Sequence, residues 1–278
     1  GGGNASLGGG GAGAMIYKTG WKLDKGTYTI KVGNSTEDSY INLNDQTIIK
    51  AIAGGNGGVY ASYSVQGHSA GYDGGSGGGG FETTGGKAIS TNNIPSGTYG
   101  NAGGSGSASY IGCGGGGGGA GSAGSNGTNH LGEGYGSGGD GLSNNITGTS
   151  VIYAKGGYGV TSKGNSYGSA SNGTNGTGNG GNGGSGTGYG GSGIVIIRFK
   201  NSEINGKNDK DHDNDHHDKD HDNDDSRDYK PVYSGGLNNV AKLCASSKNN
   251  IVVGHSNKVN LYKFQNNTYE YSKSIAPN

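Results

Sequence analysis

The chain has almost none of what stabilises an ordinary secreted or intracellular domain. It holds two cysteines, three prolines, one methionine and one tryptophan in 278 residues. Cys113 and Cys244 lie in different segments, one in a glycine run and one in an apolar stretch. A single such pair builds no disulfide framework. Three prolines exclude collagen, which needs abundant proline with glycine strictly at every third position. No stretch approaches the ~20 apolar residues of a membrane-spanning helix; the longest undiluted apolar run is Ile194-Val-Ile-Ile197. Net charge is zero, which removes any whole-chain attraction to nucleic acid or to a membrane surface. The chain opens on three glycines without a methionine, so its natural start is expected upstream.

What is present is glycine, 68 residues or about a quarter of the chain, against roughly 7 % in an ordinary domain. Only 28 % of the residues are hydrophobic, yet there are 18 tyrosines. A conventional apolar core is therefore excluded, while full disorder fits poorly with neutrality and aromatic content.

Composition separates several zones. Residues 1–14 are a glycine run. Gly26-Thr-Tyr-Thr-Ile-Lys-Val32 alternates with the period of two of a half-buried strand. Ser39 to Asn44 and Gln46 to Ile52 follow, divided by the turn signal Asn44-Asp45. A small antiparallel sheet is expected, with Ile16, Trp21 and Leu23 available to cover its apolar face. Residues 54–193 are glycine-rich, with Gly114 to Gly119 a run of six glycines. Asn172-Gly-Thr, Asn175-Gly-Thr and Asn179-Gly-Gly-Asn182-Gly-Gly repeat with a period of three, the residues per turn of polyproline II. Side-chain-free helices of that type can pack closely and pair through their backbones. The expectation is a mainly β chain without significant helix, its glycine-rich part forming loops or a polyglycine-II-like bundle. Gly190-Gly-Ser-Gly-Ile-Val-Ile-Ile-Arg-Phe199 closes the zone as a buried strand, expected to pair with the early sheet.

Beyond it, residues 200–231 read as a disordered linker. Asp209 to Asp228 carries ten aspartates and four histidines without apolar periodicity. Residues 232–278 return to strand patterning in four short stretches, a β-meander with the size of one propeller blade.

The order of these features resembles the glycine-rich domain of phage tail fibres and related surface proteins of large viruses. The resemblance rests on Gly8-Gly-Gly-Gly-Ala-Gly13, Leu23-Asp-Lys-Gly-Thr-Tyr-Thr-Ile-Lys-Val-Gly33, Ile52-Ala-Gly-Gly-Asn-Gly-Gly58, Asn145 to Gly157 and the closing Gly190 to Phe199. It covers most of residues 1–199. It implies a sheet that carries glycine-rich loops displayed on fibres, without catalytic residues. The expected opening strand before the first glycine run is absent.

Chemistry-bearing patterns are few. No GxxxxGK[ST] phosphate loop occurs and no helical periodicity could follow one. No nucleophile elbow is present. His212, His216, His217 and His221 lie among aspartates, and imidazoles beside carboxylates suit zinc, copper or nickel. In a solvated spacer they would bind divalent metal only weakly. His68, His130 and His255 are isolated. Sequons occur at Asn4, Asn34, Asn126, Asn145, Asn172, Asn175 and Asn266, a frequency that this composition generates by chance.

The leading expectation is a non-enzymatic structural and display protein of a virion surface or extracellular fibre. It would have no cofactor, fibre or virion proteins as partners, a host glycan or protein as receptor, and homo-oligomerisation as an option. Two alternatives stand beside it: an ice-binding glycine bundle, which needs a long three-residue repeat, and a eukaryotic cell-surface or wall glycine-rich protein.

Overall fold

A computed structural model describes residues 1–21, 28–59, 69–89, 98–108, 112–128, 134–161 and 169–198. Within 240–275 it describes four strands by their backbones alone. No helix occurs among the described residues. Strands are short: β1 (Met15–Ile16), β2 (Tyr28–Lys31), β3 (Ser39–Leu43), β4 (Gln46–Ala51), β5 (Thr98–Tyr99), β6 (Leu142–Asn144), β7 (Val151–Tyr153) and β8 (Ile194–Arg198). Further on come β9 (Val240–Lys242), β10 (Asn250–His255), β11 (Lys258–Gln265) and β12 (Thr268–Ile275).

The early sheet forms as the alternation requires. Leu43 faces Gln46 across a two-residue turn in which Asn44 and Asp45 both take positive φ, 47° and 65°. Positive φ at both central residues is the hairpin turn whose twist matches its strands, and Asn and Asp are the non-glycine residues that tolerate it best. Ile30 pairs with Ile41, and Ile41 with Ile49, so one row of isoleucines crosses three strands. Ile30, Ile41 and the adjoining Val32 are buried. Ile16 lies in β1, which pairs with β5; Leu23 lies outside the described residues.

The glycine-rich zone is a bundle held by main-chain pairing, and the run 8–13 lies at its centre. Its N–H groups point in turn to three neighbours. Gly8 and Gly11 donate to Gly58 and Gly55 at 2.9 and 2.8 Å, and Gly9 and Ala12 donate to Gly115 and Gly118 at 3.0 and 2.9 Å. Gly10 and Gly13 donate to Gly181 and Gly178 at 3.0 and 2.9 Å. Residues three apart thus meet the same neighbour, the signature of three residues per turn. The carbonyls serve three further runs: Gly9 and Ala12 accept from Gly79 and Ser76, Gly10 from Gly157, and Gly11 from Gly3.

The neighbours also bond to one another around this axis. Gly55 donates to Ser76, Gly115 to Gly80, Gly117 to Gly157, Gly180 to Lys155, Gly181 to Gly3 and Gly57 to Asn4. That closes a hexagon. The run 114–119 is surrounded in the same way, through Val160 and Gly157, Gly80 and Gly77, Ser125 and Ser122, Gly136 and Gly139, Gly9 and Ala12, and Gly104. This is polyglycine-II packing. It explains why glycine is indispensable here: a Cβ on Gly9 would sit on the Gly157 carbonyl, and one on Gly118 on the Asn101 carbonyl. Buried backbone groups must be paired, and here they are paired between runs instead of within helices or sheets.

Among the described residues, the buried apolar clusters of the bundle lie where its runs end. At the sheet end Ala12, Ala120, Tyr153 and Ala154 form a buried cluster, with Met15, Leu142, Val151, Ile194 and Ile196 packed on it. At the opposite end Phe81, Cys113 and Val160 are buried. Between them the interior is backbone.

The initial glycine run is the bundle's axis. One expectation is corrected: the closing strand β8 does not pair with the early sheet. It pairs antiparallel with β10, Ile194 opposite His255 and Arg198 opposite Ile251. The reason is visible on both partners: the open edge of β2 is taken by β9, with Ile30 opposite Ala241, while Ile194 and Ile196 are committed to the end cluster. The apolar run Ile194–Ile197 is accordingly half-buried, not fully buried. Consequently β10, β11 and β12 form a meander whose fourth strand is β8, and β9 joins the early sheet in the order β4-β3-β2-β9. The linker expected at 200–231 lies outside the described residues.

Candidate functional site

The bundle has two unlike ends, about 20 Å apart along the run from Cys113 to Ala120 at 3.1 Å per residue. One carries the early sheet and β8. At the other lie the residues that flank four stretches of the sequence. Val59 and Ser69 face each other, with the Val59 N–H donating to Ser69 Oγ at 2.6 Å and the Ser69 N–H to Val59 O at 3.2 Å. Ser107 and Cys113 exchange two backbone bonds of 3.0 Å. The Thr128 N–H donates to Gly134 O at 2.7 Å. Thr161 bridges Cys113, and Ser169 bridges Ser185. The four intervening stretches, 60–68, 109–111, 129–133 and 162–168, lie outside the described residues. In sequence they carry Tyr60, Tyr63, His68, Tyr110, His130, Lys163 and Tyr167.

Beneath these junctions is the apolar plug. Phe81 is 0 % exposed and Cys113 2 %. Gly112 is required above it, because a Cβ there would meet the Glu82 carboxylate and the Phe81 ring. The Cys113 Sγ donates to the Thr128 carbonyl at 3.8 Å. Burial pushes its thiol above the ordinary range, and the negative charge of Glu82 adds to the effect. A buried thiol with a raised pKa is a poor nucleophile, so this cysteine serves packing.

On the flank, Tyr135 and Tyr158 project from the neighbouring runs 134–139 and 154–160. Their ring centroids are 5.9 Å apart and their planes are tilted by 51°. Tyr72 and Tyr189 are more than half exposed on other runs. In sequence the tyrosines count as a sign of order, without the Tyr135–Tyr158 pair being singled out. The signal was available, since both tyrosines stand in Gly-Tyr-Gly triplets where the only side chain must point outward from a packed run.

His212, His216, His217 and His221 lie outside the described residues, as do His68 and His130; His255 is placed by its backbone in β10. Among the described residues no group of three His, Cys, Asp or Glu side chains could hold a metal ion, and no helix is long and apolar enough to cross a membrane. Of the sequons, Asn34, Asn126, Asn145, Asn172 and Asn175 are exposed and Asn4 is half-buried. The side-chain oxygens of Asn4, Asn126, Asn172 and Asn175 accept backbone N–H groups of Gly190, Ser105, Tyr189 and Ser192.

The described residues define a glycine-bundle domain, a body ordered by backbone pairing between runs. Residues 1–200 match the profile of the family described as glycine-rich domain, and the chain belongs to that family. Neither a curated protein nor a solved structure matches it.

Proposed function

We propose that this protein is a non-enzymatic structural and display element of a viral fibre or virion surface, in which the bundle is a stiff body and its junction-bearing end contacts a host glycan or protein. The observation that carries the reading is that the described residues flanking four stretches of the chain, Val59 and Ser69, Ser107 and Cys113, Thr128 and Gly134, Thr161 and Ser169, gather at the end away from the sheets. In sequence the four flanked stretches carry tyrosine, serine and histidine, residues that give adaptable contacts at low entropic cost. A rigid scaffold that positions variable connections is the usual arrangement for recognition. The resemblance of residues 1–199 to tail-fibre domains supports the same assignment.

An ice-binding role is less well supported. It needs a long flat row of threonines, whereas the Asn-Gly-Thr repeat turns at residues 175–178, with the Thr177 hydroxyl bonded to the Thr174 carbonyl at 2.6 Å. The display reading is tested by replacing 60–68 and 129–133 with Gly-Ser stretches of equal length and measuring adsorption to candidate host cells. Loss of adsorption with unchanged thermal melting is expected. Adsorption equal to the parent would remove this end as the contact surface.

A further inference from the structure

The perimeter of the bundle poses a problem that the interior does not. Runs at the edge have N–H groups with no further run to receive them. One device recurs there. Asn56, Asn126, Asn172, Asn175, Asn179 and Asn182 each accept, through Oδ1, the N–H of a residue on the adjacent run: Asn4, Ser105, Tyr189, Ser192, Lys155 and Tyr158, at 2.8, 2.8, 3.0, 3.0, 2.8 and 3.2 Å. In every case the next residue is glycine, and its N–H donates to the carbonyl of that same partner, at 2.8, 2.8, 2.8, 3.1, 2.9 and 2.9 Å. The side chain and the following peptide thus grip one residue at both its polar groups. Asp73-Gly74 grips Lys87 in the same way, at 2.6 and 3.2 Å. These asparagines are all the Asn-Gly pairs among the described residues.

Asn-Gly is also the dipeptide most prone to spontaneous deamidation. The glycine nitrogen attacks the asparagine Cγ, a new N–C bond closes a succinimide, and ammonia leaves with the transferred proton. Water then opens the ring to aspartate or to isoaspartate, in which the main chain runs through the side-chain carbon. Glycine permits this because no Cβ obstructs the approach. In the clasp both reactants are committed elsewhere: the nucleophilic nitrogen to a carbonyl and the carboxamide to an N–H.

We infer that the Asn-Gly clasps are suppressed modification sites, so that deamidation of this bundle reports local opening of its edges. The two products then differ in consequence. Aspartate keeps the acceptor, as Asp73 shows, whereas isoaspartate lengthens the main chain and cannot restore the second bond.

The test incubates the whole chain, folded and in denaturant, in mildly alkaline buffer and maps the products by mass spectrometry. With two hydrogen bonds to break before reaction, folded-state conversion at Asn126, Asn172 and Asn179 is expected to be roughly tenfold slower than in denaturant, or slower still. Equal rates would overturn the inference. A second variant removes one grip alone. Tyr189→Pro deletes the N–H that Asn172 receives, at an exposed residue preceded by glycine, and proline fits the φ of a polyproline-II run. Conversion at Asn172 should rise about fivefold while Asn179 keeps the parent rate. If Asn172 stays at the parent rate in a chain that still melts cooperatively, the clasp does not protect. If Asn179 accelerates equally, the runs are coupled and protection belongs to the bundle as a whole, which contradicts a local grip.

Discussion

Gly117 and Gly10 meet backbone to backbone: a Cβ on Gly117 would clash with the Gly10 carbonyl. The two main chains leave no room between them for even one methyl group. Gly117→Ala is expected to destabilise the chain by more than the about 1–3 kcal/mol of ordinary core overpacking, because neither rigid run can yield. Gly186, with φ of 93° and nothing within reach of a Cβ, is the control. Its change to alanine should cost only the roughly 1 kcal/mol of a left-handed residue. Thermal melting of the two variants distinguishes packing from mere loss of glycine.

The closing strand separates its two faces. Ile194 and Ile196 pack on the end cluster of Ala12, Ala120, Tyr153 and Ala154. Ile194→Asp with Ile196→Asp would place two charges against that cluster, and unpaired buried charge is heavily penalised. That variant should fail to fold cooperatively. Val195→Asp with Ile197→Asp alters the alternate face and should leave a folded, less stable chain. Far-ultraviolet circular dichroism and melting curves of both decide it; equal behaviour would remove the assigned orientation.

Asp38 ties the early sheet to the bundle. Its carboxylate accepts the Ala53 N–H at 2.7 Å and pairs with Lys50 at 2.7 Å. Burial opposes its ionisation, but the Lys50 bond and charge together with the Ala53 amide hold its pKa below the ordinary value. A depressed folded pKa gives stability that is complete above the unfolded aspartate value of about 3.9 and is lost as pH falls through the folded value. Melting of the parent should therefore fall below about pH 4 by a step that Asp38→Asn lacks. Asparagine keeps an acceptor for the Ala53 N–H but loses both the titration and the charge paired with Lys50, so its melting should be lower and flat through this range. A step of equal size in both chains would assign it elsewhere.

Cys113 should resist alkylation. Its thiol is buried and its pKa raised by burial and by Glu82. Iodoacetamide labelling of the native chain near neutral pH is expected to leave Cys113 unmodified until denaturant is added. Rapid native labelling would show that the plug beneath the junctions is open.

Much of the sheet and its turn was legible because the signals are local. Alternation over Thr27 to Val32 and the pair Asn44-Asp45 fix strands and hairpin within a few residues. The polyglycine-II character was legible from the period of three near Asn172. The position of the run 8–13 was not, because a glycine carries no pattern that says which neighbours it will meet. Its partners lie at Gly55, Gly118 and Gly178, far along the chain. The partner of β8 was hidden for a related reason: Ile194–Ile197 is apolar on both faces, so its sequence does not choose between the β2 edge and β10. The clasps were visible as Asn-Gly pairs, but their meaning required the partner runs.

The central claim is that this chain is ordered by backbone pairing in a glycine lattice, and amide hydrogen exchange tests it most directly. The N–H groups of 8–13, 76–80 and 114–119 are each bonded to a neighbouring run and enclosed by others. Opening one requires separating several runs together, so their exchange should be slow and should approach the rate set by global unfolding. The account predicts that these three runs are the slowest-exchanging segments of the chain, slower than the early sheet. Complete exchange of all three at the earliest time point, with the sheet still protected, would contradict it.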